Sequence, residues 1–252
     1  MPDRDSATPG GDPELLDSAN CRESRLVWAY FNQQTQGVFV DVGANHPTER
    51  NQTWFLECQG WSGLLIEPNP DLSALLRARR PRSRTIQAAV CAPGQEGEAE
   101  LHLAVDHAKS SLRPEWDHAL TGQRVRVPTR TLNSLIAEAG LSRIDFLSID
   151  VEGMELEALS GLDLQRFPPH LILLEDHFYN YQKHFFLRRR GYKLVRRTGY
   201  NNWYVPQEAP GSVFSVSSFP EMLKLGKKMW LNTPFNRLRR KLKQRKRGRL
   251  LE

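Results

Sequence analysis

Between Val38 and His177 five short apolar runs recur, mostly separated by stretches with helical spacing. VFVDVG (38–43), GLLIEPNP (63–70), TIQAAV (85–90), IDFLSIDVEG (144–153) and HLILLEDH (170–177) read as strands buried on both faces, since none alternates polar with apolar positions. Helical spacing is predicted over 13–34, over TWFLECQ (53–59) up to Gly60, and over Leu72–Arg80, with Asp71 as N-cap and Pro81 beyond. TLNSLIAEAG opens at Thr131 and stops at Gly140. Further helices are predicted over 154–159 and over 181–190, the second closed by Gly191. Residues 98–105 and 124–128 alternate as amphipathic strands around a polar excursion, and 192–197 with 202–206 read as a closing hairpin.

Strands alternating with helices predict an α/β fold: a doubly wound, Rossmann-like, mostly parallel sheet finished by an antiparallel hairpin strand. In such sheets ligands bind beyond the carboxyl ends of the strands. Polar residues collect at those ends: Asp41, Glu67, Asp150, and the trio Glu175, Asp176 and His177. Three segments are expected: a disordered polar N-terminus over 1–14, a domain over 15–210 and a separate tail over 211–252.

The overall charge of +6 hides a division. Twelve of the 35 basic residues and none of the 29 acids fall in 222–251, so the remainder holds 23 basic against 29 acidic residues, about −6. An acidic body with a basic tail disfavours nucleic acid as the body's partner. With 39% hydrophobic and 25% charged residues, the composition is that of a globular protein. No run approaches the ~18 apolar residues of a membrane span, and the polar start MPDRDSATPGGDP lacks a signal-peptide pattern, so a cytoplasmic location is expected. Cys21, Cys58 and Cys91 show no metal-ligand spacing.

In VFVDVGAN, Gly43 suits a tight turn that lets backbone approach a ligand, and Asp41 at the strand tip suits an ammonium or an ordered water. Ala44, Asn45, His46 and Pro47 follow where a dinucleotide fingerprint needs further glycines, so a nucleoside without phosphates is the better fit. Glu67 can accept both hydroxyls of a ribose; the plainer alternative is a solvated acid before Pro68.

The blocks VFVDVGANHPTERNQTWFLECQGWSGLLIEPNPDLSALL, IQAAVC, GEAELHLA, TLNSLI and IDFLSIDVEGMELEALSGLD closely resemble the FkbM-type methyltransferases, from about Gly37 to Pro206. The resemblance implies a class I, S-adenosylmethionine-dependent methyltransferase, acting on hydroxyls of sugars or of polyketide and glycan products. It implies that Asp41, Gly43 and Asn45 hold the methionine end of the cofactor and Glu67 the ribose. Pro68 and Asn69 would shape the adenine side, Ala89 and Val90 would line the adenine, and Asp150 would lie near the reacting methyl. Asn-Gln-Thr at 51–53 replaces a common Ser-Asn-Thr, which leaves the role of Asn51 open and favours Thr53 as a cofactor contact.

Methyl transfer to an alcohol needs alignment and a group to take the proton. Asp150 and Glu152 are the first catalytic candidates, with helix capping the simpler role for Glu152. Asp150, Glu175 and Asp176 together offer three oxygen ligands suited to Mg²⁺. Without a metal, His177 is a candidate base, and His46 a further one. The excursion 106–123, with Ser110-Ser111 matching a serine pair of the family, is either a substrate lid or a surface loop. Aromatic residues in HFYNY (177–181) suit stacking on a sugar ring or simple core packing.

The tail mixes Leu, Met, Trp and Phe with its basic residues, and Pro234 divides it. A helix lying on an anionic membrane surface is the leading reading for 222–251, ahead of a solvated tail and of nucleic-acid binding. The acceptor expected for the enzyme is a sugar or glycan in a cell-surface polysaccharide, glycolipid or secondary metabolite. The alternatives are a non-catalytic cofactor-binding or scaffold protein, and a nucleic-acid methylase. The latter is disfavoured because IDVEG occupies the place of an (Asp/Asn)-Pro-Pro-aromatic turn.

Overall fold

Strand β1 (Val38–Val42) lies between β2 (Ser62–Ile66) and β7 (Phe146–Ile149), parallel to both. The computed structural model describes residues 22–106, 110–112, 120–176, 181–209 and 226. These divide into two compact units, one ending at Leu174 and the other starting at Glu175.

In the first unit β3 (Arg84–Ile86) flanks β2 and β8 (Leu171–Glu175) flanks β7, giving the parallel order β3-β2-β1-β7-β8. The chain therefore steps outward from β1 through β2 to β3, then returns to the other side of β1. Right-handed crossovers, the rule for parallel connections, place the linking helices on opposite faces. Phe39, Val40, Leu64, Leu65, Phe146, Leu147, Leu171 and Ile172 are wholly buried, which is why these strands read as unbroken apolar runs. Each such side chain contributes about 1.5–3 kcal/mol on leaving water.

The helices are α1 (Arg22–Tyr30), α2 (Trp54–Cys58), α3 (Pro70–Arg79), α4 (Leu132–Ala139) and α5 (Glu155–Ser160). Thr131 caps α4 by accepting from Ser134 N, and Gly140 ends it in the left-handed conformation. For α3 the cap is Asn69, not Asp71 as expected: its side chain accepts from Asp71 N and Leu72 N, and Pro70 opens the helix.

TIQAAV is not one strand. Arg84–Ile86 joins the main sheet as β3, while β4 (Ala89–Val90) pairs with β6 (Leu120–Arg130) in a second, three-stranded sheet of order β4-β6-β5. In it β5 (Gly97–Ala104) runs antiparallel to β6. A small core of Ala89, Leu101 and Val127, with Leu103, Leu112 and Val125 against it, holds this sheet together.

In the second unit α6 (Gln182–Arg188) precedes the antiparallel hairpin of β9 (Tyr192–Thr198) and β10 (Asn201–Pro206). No helix among the described residues is long and apolar enough to cross a membrane. The expected disordered start (1–14) and most of the basic tail lie outside the described residues.

Candidate functional site

Beyond the carboxyl ends of β1, β2 and β7 the first unit opens into a cleft of about 1010 Å³, solvent mouth included. Asp41, Glu67 and Asp150 all line it, with Gly43, Asn45, Pro68, Ala89 and Val90. The acids the sequence spreads over 110 positions thus meet in one place, where the strand order reverses.

Gly43 shows how closely the strand ends pack there. Its φ is +82°, and a Cβ on it would lie 1.9 Å from the Asp150 carbonyl oxygen. Only glycine suits this turn. Its N–H and that of Ala44 both donate to the Ile66 carbonyl, which ties β1 to β2 at the rim.

Asp41 is buried, and its Oδ2 accepts from the Thr53 hydroxyl at 2.8 Å. Burial pushes its carboxyl above the usual range, while the Thr53 hydroxyl, the Arg80 guanidinium and the Ser148 hydroxyl pull the other way. Thr53 itself is wholly buried and absent from the cleft lining, and it meets Asp41 from behind. Asn51 is a staple: Nδ2 donates to the Ala44 and His46 carbonyls, and Oδ1 accepts from the Thr53 and Trp54 amides. Ser24 of α1 donates its hydroxyl to the Gln52 carbonyl, adding a further tether.

Glu67 follows β2. Its Oε2 accepts from Asn45 N and its Oε1 from Asn69 N, each at 2.8 Å. Burial dominates over these bonds and pushes its pKa up to about 7, with the nearby Asp41 charge adding to the rise. Asn69 is buried and outside the lining; its side chain caps α3 and its amide holds Glu67. Pro68, Ala89, Val90 and Leu101 add an apolar wall to the cleft. Asn45 lines the cleft with φ +52°, and its Oδ1 is shielded from water with no hydrogen-bond partner among the described residues. A buried acceptor left this way costs about 1–3 kcal/mol unless a ligand supplies a donor.

Asp150, Val151 and Glu152 make the third side. Asp150 N donates to the Val42 carbonyl. Glu152 has φ +47°, a region that strains a long side chain, and its carbonyl accepts from the Ser111 hydroxyl at 3.0 Å. Ser111 is in turn fixed to His102 of β5 through two backbone bonds. Ser110, Ser111 and Leu112 all line the cleft, so this part of the 106–123 excursion belongs to the site; 107–109 and 113–119 lie outside the described residues. At the helix start Glu155 Oε1 accepts from the Gly153 amide at 2.8 Å.

Glu175, Asp176 and His46 are not among the residues that line the cleft. Asp176 is buried, with Oδ1 3.2 Å from Lys183 Nζ and Oδ2 accepting from Asn202 Nδ2, so both its oxygens are engaged within the second unit. That occupancy does not suit it as a Mg²⁺ ligand. Glu175 ends β8, half-buried, and its backbone carbonyl accepts from Lys183 Nζ. His46 is outside the lining, with Nδ1 accepting from the Glu49 amide. His177 lies outside the described residues. The residue that sequence reading missed is Arg80, wholly buried behind Asp41 and Thr53.

The family model described as "Methyltransferase FkbM domain" matches residues 41–224. The chain belongs to this family. It carries a methyltransferase domain of the FkbM type on the parallel α/β sheet described above. One curated relative, the AMB antimetabolite synthetase AmbE of Pseudomonas aeruginosa, is 41% identical over 70 residues; the match takes in 28% of the FkbM-family chain and only 3% of that protein. Among solved structures, Methyltransferase FkbM from Methylobacillus flagellatus shares 17% identity at a TM-score of 0.43, over 68% of this chain and 44% of that one. A TehB-like SAM-dependent methyltransferase from Corynebacterium glutamicum shares 13% at a TM-score of 0.38, over 73% and 86%.

The residues of this FkbM-family cleft fit S-adenosylmethionine. The orphaned Asn45 Oδ1 and the Asp41 carboxylate suit an ammonium, Glu67 suits vicinal hydroxyls, and the apolar wall suits a flat base.

Proposed function

We propose that this FkbM-family enzyme methylates a hydroxyl oxygen of a sugar, within a cell-surface polysaccharide, a glycolipid or a secondary metabolite. The observation that carries the reading is the acidic turn: Asp150 and Glu152 line the same cleft as Asp41 and Glu67. Asp41, Gly43 and Asn45 would hold the methionine end and Glu67 the ribose. Ala89 and Val90, with Pro68, would bound the adenine. The cofactor supplies a methyl group on a sulfonium, an electrophile that reacts in line with its leaving sulfur.

What this chain adds is alignment and a proton acceptor. An alcohol is a poor nucleophile until a base removes its proton. The carboxylate of Asp150 is the proposed acceptor, with Glu152 beside it binding or sharing that proton. Ser111, by holding the Glu152 carbonyl, keeps the strained turn in place. An apolar wall that excludes water favours transfer to the sugar over hydrolysis. The turn reads IDVEG in place of the (Asp/Asn)-Pro-Pro-aromatic turn of base amino methylases, which supports an oxygen acceptor over a base amino group. The basic residues of 222–251 support an acceptor presented at an anionic membrane surface.

The test is incubation of the full chain with methyl-labelled S-adenosylmethionine and fractionated glycans, with and without EDTA. Label is expected in a base-stable ether on a sugar. Asp150→Ala is expected to lower turnover by at least about 100-fold, the usual size of a general-base contribution. Normal turnover by that variant would remove Asp150 from the chemistry, and loss of activity with EDTA would replace the carboxylate route by a Mg²⁺ route.

A further inference from the structure

Behind the cleft lies a buried polar cluster that the reading above does not use. Arg80 follows α3 at the end of the exposed basic stretch Arg77–Arg79, yet it is itself wholly buried. Its Nε donates to Glu57 Oε2 at 2.8 Å, a fully buried ion pair. Nη1 donates to the Pro47 carbonyl and to Asn51 Oδ1, and Nη2 to the Thr53 hydroxyl oxygen at 3.1 Å. Ser83 closes the far side by donating to Glu57. Apart from the Glu57 pair, these side-chain bonds of Arg80 end on the loop between β1 and α2, whose residues Ala44, Asn45, Arg50, Asn51 and Gln52 line the cleft.

The Thr53 hydroxyl has one hydrogen. Asp41 Oδ2 at 2.8 Å and Asn51 Oδ1 at 3.1 Å compete for it. Asn51 Oδ1 already receives the Thr53 amide, the Trp54 amide and Arg80 Nη1, so the hydrogen goes to Asp41. A cation donating to a hydroxyl that donates onward makes the second bond stronger.

We propose that Arg80 is a positioning residue for the methyl-donor site: it spans the cofactor loop at Pro47, Asn51 and Thr53, and keeps the Asp41 carboxylate ionised and fixed through the Thr53 hydroxyl. The inference rests on the reading that Asp41 faces the cofactor's ammonium. The groups facing Asp41 are Arg80, Thr53, Ser148 and Glu67, with Asp150 and Glu152 in the same cleft. Of these only the first three favour its charged form.

Two variants test it by calorimetric titration with S-adenosylhomocysteine between pH 5.5 and 9, with thermal melts alongside. Thr53→Val keeps the shape and cuts the relay; Arg80→Met with Glu57→Gln removes the buried pair without orphaning a charge. Each is expected to weaken binding on the order of tenfold at the acidic end, the worth of one bond to a charged group. The loss should shrink as pH rises, because alkali ionises Asp41 without help, whereas the Glu67 titration stays common to all proteins. Wild-type affinity and pH profile in Thr53→Val would overturn the relay, as would a loss equal at every pH. If the double variant does not fold, Thr53→Val alone decides. A wild-type chain that fails to bind the ligand at any pH overturns the cofactor reading itself, a distinct result.

Discussion

Glu67 has a backbone amide on each oxygen and is still driven by burial to a pKa of about 7 from an ordinary 4.5. Between those values the folded chain holds a proton that the unfolded chain has lost. Stability from this group is therefore full below pH 4.5 and declines as pH rises to about 7, by about 3 kcal/mol at most. Glu67→Gln is expected to flatten the decline in thermal melts of the ligand-free protein between pH 5 and 7; an unchanged slope would assign the decline to other groups. Vicinal hydroxyls donating to Glu67 favour its charged form, so cofactor binding near neutrality should release protons. At this scale the sequence was legible where an acid closes an apolar run, as at Asp41, Glu67 and Asp150. Arg80 was not legible, because Arg77, Arg79, Arg80, Arg82 and Arg84 read alike as one solvated charge stretch. The available signal was its partner: Glu57 interrupts the buried face of α2, next to Phe55 and Leu56, and a carboxylate there requires a cation.

Among the elements, α3 joins stability to the site through its cap. Asn69 Oδ1 takes the first amides of the helix while its own N–H holds Glu67. Asn69→Ala is expected to cost about 1 kcal/mol, lowering the melting temperature by about 2–4 °C, because the cap bonds disappear. Binding of S-adenosylhomocysteine should change little, since the backbone bond to Glu67 survives; a large loss of affinity would give the side chain a direct part in the cleft. Asn-Pro-Asp offers two capping residues in sequence, and Asp71 was the wrong choice of the two because Pro70 fits the first helical turn. The split of TIQAAV was hidden for a different reason. A run buried throughout shows no alternation, so nothing in it tells which sheet each half joins. The acid-ended strands kept their expected places because Asp and Gly punctuate them.

For the molecule as a whole, an acidic body precedes a tail rich in lysine and arginine. Removing 222–252 is expected to abolish sedimentation with anionic vesicles and leave S-adenosylhomocysteine binding intact; unchanged sedimentation would dispose of membrane attachment. The doubly wound plan and the hairpin of β9 and β10 were legible from periodicity, as was the meeting of three acids at one edge. What periodicity does not encode is the second sheet, which branches off after β3 and supplies Ala89, Val90 and Leu101 to the cleft wall. The cradle formed by β1, β2 and β7 is anchored in the main core, whereas Ser110–Leu112 belong to the connection between β5 and β6 on a separate small core. Changes in that connection are therefore expected to alter the cleft at Ser110–Leu112 and the Ser111 hold on the Glu152 carbonyl, while Asp41, Gly43 and Glu67 keep their places at the strand ends of the main sheet.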